Sequence, residues 1–195
     1  MNKFLLILVL TLSFQSLSKA DDIKEFEIEG MSIGESLLNH MSLDEIRLSK
    51  QNYFGENKRY YVVGKYNDLN VYNAVDIYLK TNDNKFIIKT LSGMIGMDKN
   101  KCLKERKVIV NELKEIFYNI KEKNFENVEH SFDKTGNSKV YQTAFLFKNS
   151  NDGDHIRVEC TDWSKKIENE KGWSDNLSVA AFSEEILLWF RDGYN

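Results

Sequence analysis

A strand–turn–strand segment in the first half of the chain decides the fold class: Val71-Tyr-Asn-Ala-Val-Asp-Ile-Tyr-Leu-Lys80, Thr81-Asn-Asp-Asn84 and Lys85-Phe-Ile-Ile-Lys-Thr-Leu91. The two flanking runs are rich in β-branched and aromatic residues, which pack well on a pleated sheet. The polar tetrad between them tolerates the left-handed backbone that tight turns need. The segment therefore predicts an antiparallel β-hairpin.

A second strand–turn–strand segment follows at residues 139 to 162. It echoes the first at a constant offset of 69 residues in two dipeptides: Val71-Tyr72 with Val140-Tyr141, and Asn82-Asp83 with Asn151-Asp152. This echo raises the hypothesis of an internal duplication, with repeats at about 58–122 and 139–192.

Helices are predicted before, between and after the hairpins. Two short N-terminal helices are expected, because Ser32 with Glu35 and Ser42 with Glu45 match the S-x-x-E capping box. Between the hairpins, an apolar stripe predicts one long helix over residues 99–121.

The rest of the chain is assigned from shorter patterns. We expect strands at Phe26–Ile28, from Lys58 to Tyr66 and from Leu177 to Phe182, a loop at residues 163–175, and a short C-terminal helix capped by Ser183. No Gly- or Pro-rich linker divides the sequence, and the strands are joined mainly by turns. The sequence therefore predicts a single α+β domain over residues 21–195 with a mainly antiparallel sheet.

The first 20 residues are predicted to be a cleaved signal peptide. Lys3 gives a positive start, Phe4 to Phe14 form an apolar run, and Ser18-Lys19-Ala20 match a small-x-small cleavage site. The run has 11 residues, whereas a spanning helix needs about 20, so we expect no stable membrane anchor. The mature protein is expected in the periplasm or outside the cell.

Charge and composition exclude several classes of protein. The 27 Lys and Arg against 30 Asp and Glu give a net charge of -3, and removing Lys3 and Lys19 with the signal leaves 25 against 30, or -5. We expect no nucleic-acid partner, because such domains normally carry a basic excess. With 42% apolar and 12% aromatic residues, the chain is typical of a globular domain.

Cys102 and Cys160 are the two cysteines of the chain. An oxidising compartment favours a bond between them, and the alternative is two buried free thiols. We predict a disulfide that joins the long helix to a strand of the second hairpin. The spacing of cysteine and histidine does not match a metal site, and we identify no cofactor.

Gly30-Met-Ser-Ile-Gly34 matches the G-x-S-x-G nucleophile elbow, which makes Ser32 the candidate nucleophile of a small secreted serine hydrolase. His130 or His155 would have to serve as its base. The alternation of strands and helices that carries such an elbow is missing, and Ser32 already has a predicted capping role. We therefore expect no catalytic residue and keep the hydrolase as an alternative.

Two clusters of charged residues are interpreted as surface features. One fails the spacing of a calcium loop and is read as polar turn residues: Asp152, Asp154, His155, Glu159 and Asp162. The other is either a solvated helix face or a small anionic docking patch: Lys99, Lys101, Lys104, Arg106 and Lys107. Asp76 is expected on the solvent face of its strand.

The leading hypothesis is an exported non-enzymatic binding or accessory domain that acts on a protein or envelope partner through its sheet or loops. Exposed tyrosines on a strand face could form a sugar- or peptide-binding platform, although tyrosines also pack under helices. A binder of a small ligand between helix and sheet is a further alternative. The oligomeric state is not predicted.

The segments Ala20 to Leu38 and Leu177-Ser-Val, with Ser183-Glu-Glu and Trp189, resemble a class of exported proteins from small-genome marine bacteria. The resemblance implies export and a shared fold, and it carries no activity. The chain also has a looser similarity to small outer-membrane-assembly accessory proteins. It departs from them because it has no cysteine near residue 20 to carry a lipid.

Overall fold

The computed structural model describes residues 22–51, 53–54, 58–117, 120–147 and 153–193. The predicted signal peptide, residues 1–20, and most of the second hairpin turn lie outside the described residues. Within these ranges, no helix is long and apolar enough to cross a membrane.

The architecture is α+β. A two-stranded hairpin opens it, and the strands of the main sheet follow along the chain: β1 (Glu27–Ile28) and β2 (Met31–Ser32), then β3 (Lys50–Gln51), β4 (Tyr60–Lys65), β5 (Ala74–Lys80), β6 (Ile88–Gly96), β7 (Lys121–Glu129), β8 (Lys139–Leu146), β9 (His155–Asp162) and β10 (Asn176–Phe182). The described part of the main sheet has eight strands in the order β3-β4-β5-β6-β10-β9-β8-β7, and every neighbouring pair is antiparallel.

Both predicted hairpins are confirmed, as β5–β6 and β8–β9. They do not pair with each other directly. The last strand, β10, lies between β6 and β9 and joins the two halves of the sheet. The internal duplication stays a prediction.

The helices differ from the prediction in length and number. Their bounds are α1 (Leu43–Leu48), α2 (Lys99–Ile116), α3 (Lys165–Lys171) and α4 (Glu184–Arg191). Helix α2 begins where predicted, because the Asp98 carboxylate accepts the Lys101 backbone N–H. It ends before the predicted residue 121, because the chain from Lys121 onwards pairs with β8 as an edge strand.

Two other assignments were wrong. The Ser32 backbone N–H donates to the Glu35 carboxylate, but Ser32 lies in β2, and the following turn is a short 3-10 helix capped by Ser36. The expected loop at 163–175 contains α3, whose first turn is capped by Ser164. The second capping box, Ser42 with Glu45, is confirmed at α1.

One side of the sheet, here called the packed face, carries the main core. Helix α2 lies over β9 and β10, while the N-terminal segment lies against β6. Val75, Ile77 and Leu79 of β5 point into this core and are fully buried. Because apolar side chains alternate with polar ones along β5, its other side chains point to the opposite side of the sheet.

The predicted disulfide is confirmed and lies in the packed face. Cys102 of α2 is bonded to Cys160 of β9, with a Cα–Cα distance of 5.8 Å and a sequence separation of 58 residues. Both residues belong to the main core. The bond therefore fixes α2 to the sheet at the position where the helix begins.

Helix α4 packs on the other side of the sheet and covers only one end of it. Its Ile186 and Trp189 form a second, smaller core with Tyr60, Ala180 and Phe182. The predicted cap residue Ser183 makes no side-chain capping bond. The Asp154 carboxylate accepts the Glu184 backbone N–H instead, at 2.7 Å.

Candidate binding face

The side of the sheet opposite the packed face is the candidate site, and we call it the open face because α4 covers only one end of it. Strand pairing places one cross-strand row on it: Gly64, Asp76, Ser92, Ala180 and Arg157. A second row, one step toward the far end, contains Met94, Ser178, Glu159 and Gln142. Most of these side chains are half-buried.

Small residues keep the centre of the open face low. Ser92 and Ser178 come from neighbouring strands, and their hydroxyl oxygens are 3.1 Å apart. Ala180 lies beside them and is fully buried by its neighbours. Bulky aromatic side chains lie around this low centre, with Tyr66 next to Gly64 and Trp163 directly after β9.

A single carboxylate fixes the end of the open face that α4 covers. Glu185 accepts the Tyr60 hydroxyl at 2.5 Å and forms ion pairs with Lys89 at 3.0 Å and Lys80 at 3.3 Å. Burial alone would raise the pKa of Glu185, but these hydrogen bonds and the charge of Lys89 outweigh it and lower the pKa to about 2. Glu185 therefore ties α4 to β4, β5 and β6.

Asp76 lies on the open face, opposite the core residues of β5, which is the side of the strand on which it was expected. The residue is half-buried, and its Oδ1 atom is shielded from solvent and accepts no hydrogen bond from the described residues. Burial raises the pKa of Asp76 to about 6. The carboxylate is thus a buried acceptor without the partner that such groups normally have.

Tyrosines border Asp76 on one side. Gly64 is the cross-strand neighbour of Asp76, and the Tyr66 hydroxyl lies 2.6 Å from where a Cβ atom would stand at Gly64. Only glycine leaves room for this ring. The pKa of Tyr53 is raised by burial and by nearby Asp76, Tyr66 and Tyr78. We call Tyr53, Tyr66 and Tyr78 the tyrosine cluster.

On the other half of the open face, Arg157 stacks on an aromatic ring. Its guanidinium carbon lies 4.4 Å from the Phe182 ring centre, and its Nε is 3.6 Å from a Glu159 carboxylate oxygen. His155 also contacts the Phe182 ring. Burial, followed by the charge of Arg157, lowers the pKa of His155 to about 4, so this imidazole is neutral at pH 7.

A series of aromatic rings in mutual contact begins at Trp163, directly after β9. His130 contacts Trp163 at 4.3 Å, Trp163 contacts Trp173 at 4.8 Å, and Trp173 contacts Phe132 at 4.8 Å between ring centres. Phe132 and Trp173 are 45% and 41% exposed. We call these four residues the tryptophan cluster. Exposed aromatic rings offer a large contact area at low entropic cost.

Asp133 holds the tryptophan cluster in place. It is 4% exposed and accepts hydrogen bonds from Thr135, Ser138 and Ser164. Hydrogen bonds from Ser138 and Thr135 lower the pKa of this carboxyl far below its usual value. Because Ser164 also caps α3, Asp133 links the loop that carries Phe132 to the segment between Trp163 and Trp173. The rings are therefore held by a preformed polar network.

The residues proposed for a hydrolase are not brought together. Ser32 lies in β2, in the N-terminal segment that packs on the covered side of the sheet. His155 contacts Phe182 and His130 contacts Trp163, both beside the open face. No contact joins Ser32 to either histidine among the described residues.

The two charged clusters also separate. Asp154 caps α4, Glu159 faces Arg157, and Asp162 pairs with Lys99 of α2 at 2.9 Å, while Asp152 lies outside the described residues. Across the described ranges, no group of three or more His, Cys, Asp or Glu side chains could hold a metal ion. At the start of α2, Lys99 and Arg106 are engaged by Asp162 and Glu126, so the basic patch is reduced to its exposed lysines.

Comparison with known proteins adds no relative from which to transfer a function: no protein-family model, no curated protein and no solved structure matches the chain. The resemblance to exported marine bacterial proteins stays a prediction.

Proposed function

We propose that this chain is an exported, non-enzymatic binding domain that holds an extended, cationic segment of a protein partner on its open face. The observation that carries the proposal is the unequal covering of the sheet. The packed face is sealed by α2 and the N-terminal segment, whereas α4 covers one end of the open face and leaves half-buried polar side chains beyond it, among them Asp76, Ser178 and Glu159.

The size of the open face suits a short extended peptide. The row from Gly64 on β4 to Arg157 on β9 crosses five neighbouring strands. At about 4.8 Å between strands this is roughly 19 Å, which is the length of about six extended residues. The tyrosine cluster stands beside Gly64, at one end of this row, and the tryptophan cluster begins at Trp163, directly after β9. Both clusters can contact apolar or aromatic side chains of such a segment.

The charges favour a cationic partner. The chain is acidic overall, at -3, and the expected mature form would be at -5. On the open face itself, Arg157 forms an ion pair with Glu159 at 3.6 Å, and neither its Nε nor the Asp76 Oδ1 makes a hydrogen bond within the described residues. The two carboxylates against one guanidinium leave this part of the face with a net negative charge. A basic segment would therefore gain from both the local and the overall charge.

Selection from a displayed library of random peptides tests the proposal. We expect selected peptides to be enriched in Lys, Arg and aromatic residues, and their affinity to fall at least tenfold in Trp173→Ala. Val108→Ala is the matched control, because Val108 is an exposed apolar residue of α2, the helix that covers the opposite face of the sheet. Peptides that bind the two variants equally well would refute the proposal.

A further inference from the structure

We infer that Asp76 and the tyrosine cluster form a subsite for one basic side chain of the partner, the ammonium group of a lysine or the guanidinium group of an arginine. This inference rests on the proposed function, because the subsite lies on the same open face. It goes further by naming the chemical group that is recognised and the residues that recognise it.

The Asp76 carboxylate has an unsatisfied hydrogen-bond acceptor. The Oδ1 atom of Asp76 is buried and accepts no hydrogen bond from the described residues. Its cross-strand neighbours donate no hydrogen bond to this atom: Gly64 has no side chain, and the Ser92 hydroxyl is hydrogen-bonded to the Ser178 hydroxyl, 3.1 Å away. A buried acceptor of this kind gains most from an N–H donor that carries positive charge.

Aromatic rings lie next to this carboxylate. The Tyr66 ring lies over Gly64, directly beside Asp76, and Tyr78 is two residues along β5 on the same side of the sheet. Tyr53 and Tyr66 are both more than half exposed, so the entrance is accessible. The faces of aromatic rings attract cations, and this attraction is stronger when water is partly excluded.

The carboxylate and the rings together favour one type of cation. A quaternary ammonium group would suit the rings, but it has no N–H and would leave the Asp76 oxygen unsatisfied. A lysine or arginine head satisfies both the rings and the carboxylate. The two features together therefore select a hydrogen-bonding cation.

Titration with N-acetyl-lysine methylamide, followed by NMR of the tyrosine ring signals, tests the subsite. The norleucine analogue keeps the shape of lysine without its charge, and the Nε-trimethyl-lysine analogue keeps the charge without the N–H donors of the ammonium group. We expect saturable binding of the lysine compound, and affinities at least tenfold lower for the norleucine and trimethyl-lysine analogues.

Variants locate the site. Asp76→Asn should weaken lysine binding at least tenfold, and Tyr66→Leu should weaken it by about threefold to tenfold. Asp44→Asn removes the same charge from an exposed carboxylate on α1 and should change nothing. Thermal melting of each variant shows that it is folded.

Two results would overturn the inference: equal binding of the lysine and norleucine compounds, or unchanged binding in Asp76→Asn. A trimethyl-lysine analogue that binds as tightly as the lysine compound would also contradict it, because the subsite would then need no N–H donor. If the subsite fails while Trp173→Ala still abolishes binding of selected peptides, the proposed function stands without it. If both fail, the open face is not the binding surface.

Discussion

The two faces of the sheet are built from the same strands, but one is a closed apolar core and the other carries polar groups that are only partly hydrogen-bonded. On the packed face, β5 contributes Val75, Ile77 and Leu79 to a core closed by α2 and by the disulfide. On the open face, the intervening residue Asp76 is left with an unsatisfied oxygen beside exposed tyrosines. The main core therefore lies on one face, while the other face carries the polar groups to which the proposed function assigns a role in binding.

Within the open face, two carboxylates make the same contrast. Glu185 is surrounded by a hydroxyl and lysines that stabilise its charge, and its role is to hold α4 on the sheet. Asp76 is buried without such partners. One carboxylate stabilises the fold when ionised, and the other destabilises it.

The largest expected effect on the free energy of unfolding comes from removing the disulfide of the packed face. Replacing both Cys102 and Cys160 with serine should lower the free energy of unfolding by about 4 kcal/mol, because the bond closes a loop of 58 residues. Urea unfolding of the oxidised wild type and the double variant measures this difference. Reduction of the wild type should give the same loss, and an unchanged midpoint in both would show that the core alone holds α2.

Breaking the support of α4 should have a smaller effect that depends on pH. Glu185→Gln should cost about 2 kcal/mol at pH 7 once solvent screening is allowed for. Because the folded pKa of Glu185 is lowered to about 2, its contribution is complete above about pH 4.5 and is lost as the pH falls toward 2. Urea unfolding at pH 7 and pH 3 should show the variant and wild type converging, and a constant difference would contradict this assignment.

The smallest effect has the opposite sign. Asp76→Asn should stabilise the protein by about 1 kcal/mol at pH 8, because it removes a charge that is buried without a partner. The folded pKa is raised to about 6, so wild-type stability from this group is lost as the pH rises from about 4 to above 6. The gain should vanish at pH 4. A destabilised variant at pH 8 would mean that Asp76 has a structural partner.

Much of the fold could be predicted from local patterns. Alternation of apolar and polar residues predicted the hairpins and the last strand, and the cap at Asp98 predicted the start of α2. The disulfide was predicted from the two cysteines and an expected oxidising compartment. Strand β7 was missed because its residues are almost all exposed and mostly charged. An edge strand without a buried face has no hydrophobic period to detect.

The candidate site could not be predicted, because it depends on strand order. Gly64, Asp76 and Ser92 become neighbours through pairing of β4, β5 and β6, and Arg157 joins them only because β10 lies between β6 and β9. The abundance of tyrosine did suggest a platform, and Tyr66 and Tyr53 are indeed exposed. No local signal showed that Asp76 would lie beside these tyrosines with no hydrogen bond to its Oδ1 atom.

Site-specific photo-cross-linking in the source cells tests the central claim most directly. A photoreactive side chain is placed at Gln142 or Trp173 of the open face, and at Lys104 or Val108 of α2 as controls. We expect a covalent adduct with the same partner from both open-face positions and none from the controls. Adducts from Lys104 or Val108, without adducts from Gln142 and Trp173, would contradict the proposed function.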